Sequence, residues 1–270
     1  MKRFFLTSAL AIVASASSAG AASISLKLVD SFQRSGPFGL AFDGTYIYWS
    51  QNNAQVHQMT TSGVDTGLAP FSGQVWSELA WDGSQLMSTR SGNLYKFDVG
   101  GGNLTTSSIR YDGLIDGLDY DQGDLWYSPD VDVVYRLSGD GTTTVGPNPF
   151  LGGAGGYSGV ERIQATDKDY VVVVNDASNP RNLCVHNLDA SLVGCQQFAN
   201  ARYEGLAFDG RYVWAADYYG DKIDKYDILG DDGGSIINPG EPSTVPLPAS
   251  LPLLGAAFGL IGVFSRRRKT

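Results

Sequence analysis

A unit of about 40 residues repeats five times along the chain, and this repeat constrains the fold more than any other sequence feature. Each unit begins with Gly or Glu and an aliphatic anchor, which a strand-like segment follows. Apolar and polar residues alternate in many of these segments, as expected of half-buried strands. A strand-built repeat of this length is typical of a β-propeller. The anchors are Leu40, Leu79, Leu118, Val160 and Leu206, at spacings of 39, 39, 42 and 46 residues.

The predicted strands add up to a closed ring of five blades. The first three strands recur in every unit, and a fourth fills each gap before the next anchor. The last unit lacks its fourth strand, whereas residues 24–32 form a strand without a neighbour in sequence. If that strand joins the last unit, the ring has no exposed sheet edge. We therefore predict an all-β, five-bladed β-propeller over residues 22–230; a six-bladed ring is the alternative, for which the chain is short.

Two positions of the repeat could carry chemistry but are better explained by structure. Aromatic residues that recur once per blade favour packing between blades over a sugar platform. Aspartates that stand in turns, mostly beside Gly, favour hydrogen bonds to the local backbone over metal binding. These residues are Phe42, Trp81, Tyr120 and Phe208, and Asp43, Asp82, Asp121 and Asp209.

The G-L-A-F-D-G segments at 39–44 and 205–210, each followed by an aromatic second strand, resemble the broad NHL/YVTN-like propeller families. The resemblance covers all five units. It implies a blade and not an activity.

The N-terminal segment 1–21 has the layout of a secretory signal peptide. Lys2 and Arg3 precede an apolar stretch over 4–13, and Ala19-Gly20-Ala21 offers a small-x-small cleavage site. The apolar stretch is too short for an ordinary membrane span. We expect export from the cytoplasm; a buried N-terminal helix is the alternative.

The C-terminal segment 245–270 predicts a membrane tail, which a linker over 231–244 separates from the propeller. No charged residue occurs from Leu247 to Phe264, a length near the lower limit for a spanning helix. The basic residues that follow should stay on the cytoplasmic side and leave the body outside. These residues are Arg266, Arg267, Arg268 and Lys269.

The order of motif, span and basic cluster resembles the PEP-CTERM sorting signals of Gram-negative bacteria, in the variant V-P-L-P-A. The motif consists of Val245, Pro246, Leu247, Pro248 and Ala249. The resemblance implies an exosortase-type membrane protease as partner, which would cut near the motif and release or re-attach the body. It also implies an association with exopolysaccharide production. A plain C-terminal anchor is the alternative.

The charge of the body argues against nucleic-acid binding. The whole chain has a net charge of −9, and the six basic residues of the two end segments account for part of its positive charge. Without them the net charge is −15. Such a body repels phosphate backbones.

The two cysteines, Cys184 and Cys195, predict a disulfide between the third and fourth strands of blade four. The segment between them reads as a hairpin that turns between Asp189 and Ala190, which brings the cysteines opposite each other. Export also favours oxidation. Two reduced, buried thiols are the alternative.

Polar residues before or at the start of the innermost strands are candidates for a site at one mouth of the channel. They are Ser77, Glu78, Asp116, Ser158 and Glu204. Glu204-Gly205 partly resembles the metal-binding Glu-Gly-Pro of gluconolactonase-type lactonases, but Leu206 replaces the Pro. Carboxylates here would suit Ca²⁺. The two histidines fall on third strands, away from the channel, and no catalytic constellation is recognisable.

These observations favour an exported, non-catalytic propeller without a cofactor, which binds a protein or glycan at the cell envelope or in the exopolysaccharide matrix. Before processing it would be anchored in the inner membrane. The alternative is a Ca²⁺-dependent lactonase, hydrolase or lyase with its site at the channel mouth.

Overall fold

The computed structural model describes residues 24–51, 55–71, 78–110, 117–129, 133–145, 150–151, 156–175 and 181–237. These residues form strands and turns and contain no helix. Accordingly, no helix among them is long and apolar enough to cross a membrane. The predicted signal peptide and sorting tail lie outside the described residues. The strands are β1 (Ser25–Gln33), β2 (Pro37–Phe42), β3 (Tyr46–Gln51), β4 (Val56–Thr60), β5 (Ala80–Trp81), β6 (Leu86–Arg90), β7 (Asn93–Phe97), β8 (Thr105–Ser108), β9 (Gly117–Asp121), β10 (Asp124–Ser128), β11 (Val133–Ser138), β12 (Phe150–Leu151), β13 (Tyr157–Gln164), β14 (Asp169–Asn175), β15 (Arg181–Asn187), β16 (Leu192–Phe198), β17 (Tyr203–Phe208), β18 (Val213–Asp217) and β19 (Lys222–Leu229).

The strands form five antiparallel sheets, which confirms the predicted five-bladed propeller. Blade one contains β2–β4, blade two β5–β8, blade three β9–β12, blade four β13–β16, and blade five β17–β19 together with β1. The innermost strands β2, β5, β9, β13 and β17 each contact the next around the axis, and β17 contacts β2 again.

The apolar core lies between the blades. It divides into five clusters of buried residues, and each cluster takes its members from two neighbouring blades. Leu40 of blade one, for example, packs in the same cluster as Trp214 of blade five, and Ala41 packs with Leu79 of blade two. All five junctions of the ring are therefore filled by apolar side chains, which stabilise it by burial.

The N-terminal strand closes the ring, as predicted. β1 pairs antiparallel with β19 from Ser25 opposite Leu229 to Gln33 opposite Lys222. Its side chains add contacts: the Ser31 hydroxyl donates to Asp224 at 2.6 Å, and the Phe32 ring stacks on Trp214 with centroids 5.5 Å apart. This pairing covers the edge that β19 would otherwise expose.

The aspartates in the first turns of three blades bind local backbone, as predicted. Asp209 Oδ1 accepts hydrogen bonds from the amides of Arg211 and Tyr212 at 2.9 and 2.6 Å, and Asp43 and Asp82 do the same in their turns. The adjacent Gly210 has a φ of 87°, which a residue with a side chain rarely adopts.

Cys184 and Cys195 form the predicted disulfide. They face each other across β15 and β16, with Cα atoms 4.1 Å apart. The two strands are joined by the turn that the sequence places between them.

Blade one differs from the prediction of four strands in every unit. Its sheet has three strands within the described residues, and residues after β4 add isolated bridges, Met59 to Asp65 and Val56 to Phe71. Phe71 and Val56 exchange backbone hydrogen bonds of 2.9 and 3.2 Å, so isolated bridges stand among the described residues where a fourth strand was expected.

Candidate functional site

A cavity of about 400 Å³ lies at one end of the central channel. It is lined by the C-terminal halves of the five innermost strands and by the turns that follow them. We call this side of the ring the cavity face. A volume of this size falls within the range of small-molecule and sugar sites.

The width of the channel explains why the cavity lies at this end. Near their starts, the innermost strands pack backbone against backbone through glycine. A Cβ atom on Gly117, Gly159 or Gly205 would lie 2.2–2.3 Å from a carbonyl oxygen of the next blade. Only glycine fits such a distance, so the strands converge there and leave room at their other ends.

Four aromatic side chains and one arginine surround the cavity. Each occupies the same position of the repeat, and blade four supplies Arg162 where the other blades supply a ring. The rings are half-buried and also contact the core clusters between the blades. The predicted packing role is therefore confirmed, but the same rings also line the cavity. They are Phe42, Trp81, Tyr120 and Phe208.

Two carboxyl groups line the cavity one position before this aromatic column. Asp119 of blade three and Glu161 of blade four stand where the other blades have alanine. The amide of Arg162 donates to Asp119 Oδ2 at 2.9 Å, and the amide of Phe208 donates to Glu161. Each carboxylate thus joins its own innermost strand to the next one.

Burial makes both carboxyl groups weaker acids than usual. It raises the pKa of Asp119 to about 6, against the opposing effect of the hydrogen bonds from Arg162 and Tyr120. It also raises the pKa of Glu161 well above its ordinary value, and the charges of Asp119 and Glu78 act in the same direction. The cavity therefore holds carboxyl groups that change protonation nearer to neutral pH than an exposed acid.

Arg162 is held at the cavity wall by two acidic residues. Its guanidinium forms ion pairs with Asp121 of blade three and with Asp169 of its own blade.

The lining of the cavity is mainly acidic. Asp82 on the opposite side pairs with Lys96 at 2.9 Å. Counting Asp119 and Glu161, acidic residues outnumber Arg162 five to one in the cavity lining, so the site disfavours anionic ligands.

The channel-mouth candidates of the sequence lie at the other end of the channel. Glu78, Ser158 and Glu204 are fully buried at the starts of the innermost strands, and none of the three lines the cavity. The carboxylate of Glu204 pairs with Arg202. Ser77 and Asp116 lie outside the described residues.

Sequence reasoning missed the position of Asp119, although a signal for it exists. When the five repeats are aligned, Asp119 and Glu161 replace an alanine, and Glu78 replaces a glycine. A residue that departs from the repeat is not required to form a blade, so the departure marks a position with another role.

Metal ligation is not apparent within the described part of the chain. No group of three or more His, Cys, Asp or Glu side chains there is placed to hold a metal ion. The histidines lie on third strands: His57 stacks on Trp49 with centroids 4.1 Å apart, and the His186 ring nitrogen Nδ1 contacts the carbonyl of Ala190 at 3.1 Å. Both are away from the cavity lining.

The last described residues of the chain lie beside the cavity. After β19 the chain turns back, and the carbonyl of Ile236 accepts hydrogen bonds from the amide and hydroxyl of Thr166 at 2.9 and 2.7 Å. Thr166 lines the cavity, and Ile237 is buried. The last described residues, Ile236 and Ile237, therefore lie on the cavity face.

The chain matches no protein-family model, and no curated protein matches its sequence. It is similar in structure to Myxococcus xanthus glutaminyl cyclase, with 15% identity, a TM-score of 0.55, and coverage of 79% of this chain and 97% of that one. A nidogen/laminin complex aligns with a TM-score of 0.49 at 14% identity, over 72% of this chain and 74% of that one. The Myceliophteria thermophila Cps50 (Swd1) propeller domain aligns at 0.46 and 7% identity, over 75% and 99%. At such identities, the similarity to the cyclase shows the fold alone.

Proposed function

We propose that this protein is an exported, exosortase-sorted β-propeller that binds a glycan in the cavity, at the cell envelope or in the exopolysaccharide matrix. The observation that carries the proposal is the cavity itself, with one aromatic ring from each of four blades around carboxyl groups. The end segments of the sequence support export and sorting. The disulfide supports export, because such bonds persist in oxidising compartments.

The lining of the cavity suits a neutral or amine-bearing sugar. Aromatic rings offer apolar faces to the C–H groups of a pyranose, while carboxylates and amides bind its hydroxyl groups. Gln122, Gln164 and Thr166 add neutral polar groups to the lining. The excess of acidic residues disfavours a uronate or a phosphate at this position.

A glycan array tests the proposal directly. The full-length protein, purified in detergent, should bind neutral or amine-bearing glycans. Trp81→Ala should weaken that binding by about tenfold or more, because burial of a ring contributes roughly 1.5–3 kcal/mol. Tyr219→Ala is the matched control, since Tyr219 is an aromatic residue that is 58% exposed and outside the cavity lining. A protein that binds no neutral or amine-bearing glycan, or equal losses in both variants, would contradict the proposal.

The second candidate function is acid–base catalysis in the same cavity. It is favoured by Asp119 and Glu161, two carboxyl groups with raised pKa values facing one cavity. Glutaminyl peptides are the first substrates to try, because one of the structurally similar proteins is a glutaminyl cyclase. Turnover that Glu161→Gln abolishes while the thermal melt is unchanged would favour catalysis. A Ca²⁺-dependent hydrolase has no support from the described residues.

A further inference from the structure

An exposed tyrosine stands on the face of the ring opposite the cavity. Tyr219 lies in the turn between β18 and β19, whereas the cavity lies at the turn between β17 and β18. More than half of its surface is exposed to solvent (58%). Its neighbour Tyr218 packs edge-on against Phe38, with centroids 5.7 Å apart, which anchors the turn.

Two arginines from different blades converge on this tyrosine. The guanidinium carbons of Arg202 and Arg181 lie 5.2 and 5.3 Å from the centre of the Tyr219 ring. Arg202 precedes β17 of blade five, and Arg181 begins β15 of blade four. Arg202 also donates to the Tyr219 hydroxyl at 3.2 Å. The fold thus brings together an aromatic ring and two planar cations that are distant in sequence.

Three acidic side chains of the described residues near this cluster contact the protein itself. Glu204 is fully buried and pairs with Arg202. Asp217 is also buried, and one of its oxygens accepts hydrogen bonds from the amides of Arg202 and Gly220. Asp221, which is exposed, accepts from the amide of Gly36 at 2.7 Å. These carboxylates position the turn and Arg202, and the Tyr219 ring is exposed at the surface.

We propose that Tyr219, Arg181 and Arg202 form a second binding site, for an acidic sugar unit such as a uronate of an anionic polysaccharide. The ring would contact the apolar face of the pyranose, and the guanidinium groups would bind its carboxylate through paired hydrogen bonds. An exposed ring beside two cations suits a ligand that carries an apolar face and a carboxylate next to each other. The site is separate from the cavity and does not depend on the function proposed for it.

Titration with trigalacturonate tests this site. The full-length protein in detergent should bind trigalacturonate at this face. It should not bind maltotriose there, because maltotriose lacks the carboxylate, and it should not bind acetate there, because acetate lacks the sugar ring. Arg181→Gln should weaken trigalacturonate binding by about tenfold or more, as expected for a hydrogen bond between charged groups. Arg181→Lys keeps the charge without the planar fork and should give an intermediate loss.

Controls separate this site from general charge effects and from the cavity. Lys27→Gln removes an exposed positive charge on the outer strand of blade five and should leave trigalacturonate binding unchanged. Trp81→Ala in the cavity should also leave it unchanged. Tyr219→Ala should weaken it without lowering the melting temperature. The proposal is overturned if the wild-type protein does not bind trigalacturonate, or if Lys27→Gln weakens binding as much as Arg181→Gln.

Discussion

Replacing Asp119 by asparagine should stabilise the protein at neutral pH. The carboxyl is buried in the wall of the channel, and burial raises its pKa from 3.8 to about 6. Above pH 6 the folded protein therefore carries a buried negative charge on Asp119, whereas the unfolded chain carries the same charge in water. A shift of this size corresponds to roughly 3 kcal/mol at most. An asparagine oxygen can still accept the hydrogen bond from the Arg162 amide but needs no ionisation.

The sign of the effect depends on pH. Because the folded pKa of Asp119 is raised, its carboxyl contributes most to stability below pH 3.8, and this contribution is lost as the pH rises to about 6. The substitution removes that dependence. The two proteins should therefore have similar stability near pH 3.5, and the variant should be more stable above pH 6. The gain should be largest where Glu161 is also ionised, because the two groups repel each other.

Thermal melts at pH 3.5, 5 and 7.5 measure this difference. For a domain of this size, roughly 3 kcal/mol raises the melting temperature by about 6–12 °C at pH 7.5. Asp140→Asn is the control, since hydrogen bonds from Ser138 and Thr142 lower the pKa of the exposed Asp140 to about 2. That variant should gain nothing at pH 7.5. An Asp119 variant that melts below the wild type at pH 7.5 would refute the reasoning, and so would an equal gain at all three values.

Three further predictions concern the disulfide, the seam that β1 forms with β19, and the predicted sorting tail. Replacing Cys184 and Cys195 together by alanine should lower the free energy of unfolding by about 3 kcal/mol, measured by urea denaturation, because the closed loop is short; no change would show that the bond adds no stability. Deleting 24–33 should expose β19 and cause self-association in analytical ultracentrifugation, whereas a monomeric product that melts like the parent would contradict the role of the seam. Replacing Pro246 and Pro248 by alanine should leave full-length protein in the membrane, and mass spectrometry that finds the basic tail on mature wild-type protein would exclude processing.

Most of the fold could be predicted from the sequence because each blade repeats the same arrangement of strands and turns. The anchor residues recur in all five blades at spacings of 39 to 46 residues, and the Asp-Gly turns recur in three blades. Each feature depends on contacts within a blade or between neighbours. The seam could be predicted for a related reason: a strand was missing at one end of the repeats and unassigned at the other. The disulfide followed from the hairpin between two cysteines.

The site could not be predicted to the same extent, because it depends on which end of the channel is open. The sequence predicted a candidate site at the polar residues of the strand starts, such as Glu204. In the structure the side chain of Glu204 is buried. Whether strands converge or separate depends on distances between blades, which a single sequence does not give. The fourth strand of blade one was also expected from repetition alone, and the described residues form isolated bridges there.

The two proposed sites lie on opposite faces of one ring, and their charges differ. The cavity is mainly acidic and favours neutral or amine-bearing sugars, whereas the Tyr219 cluster presents arginines and favours acidic ones. A rigid propeller that holds both sites can bind two segments of polysaccharide at once, and the second contact then occurs at a high effective concentration. A mixture of neutral and acidic chains should therefore be cross-linked by the wild-type protein, and Trp81→Ala or Arg181→Gln alone should strongly reduce cross-linking while each variant keeps the other binding activity. Light scattering of such mixtures measures this difference, and scattering that stays at the wild-type level in either variant would show that the two faces do not act together.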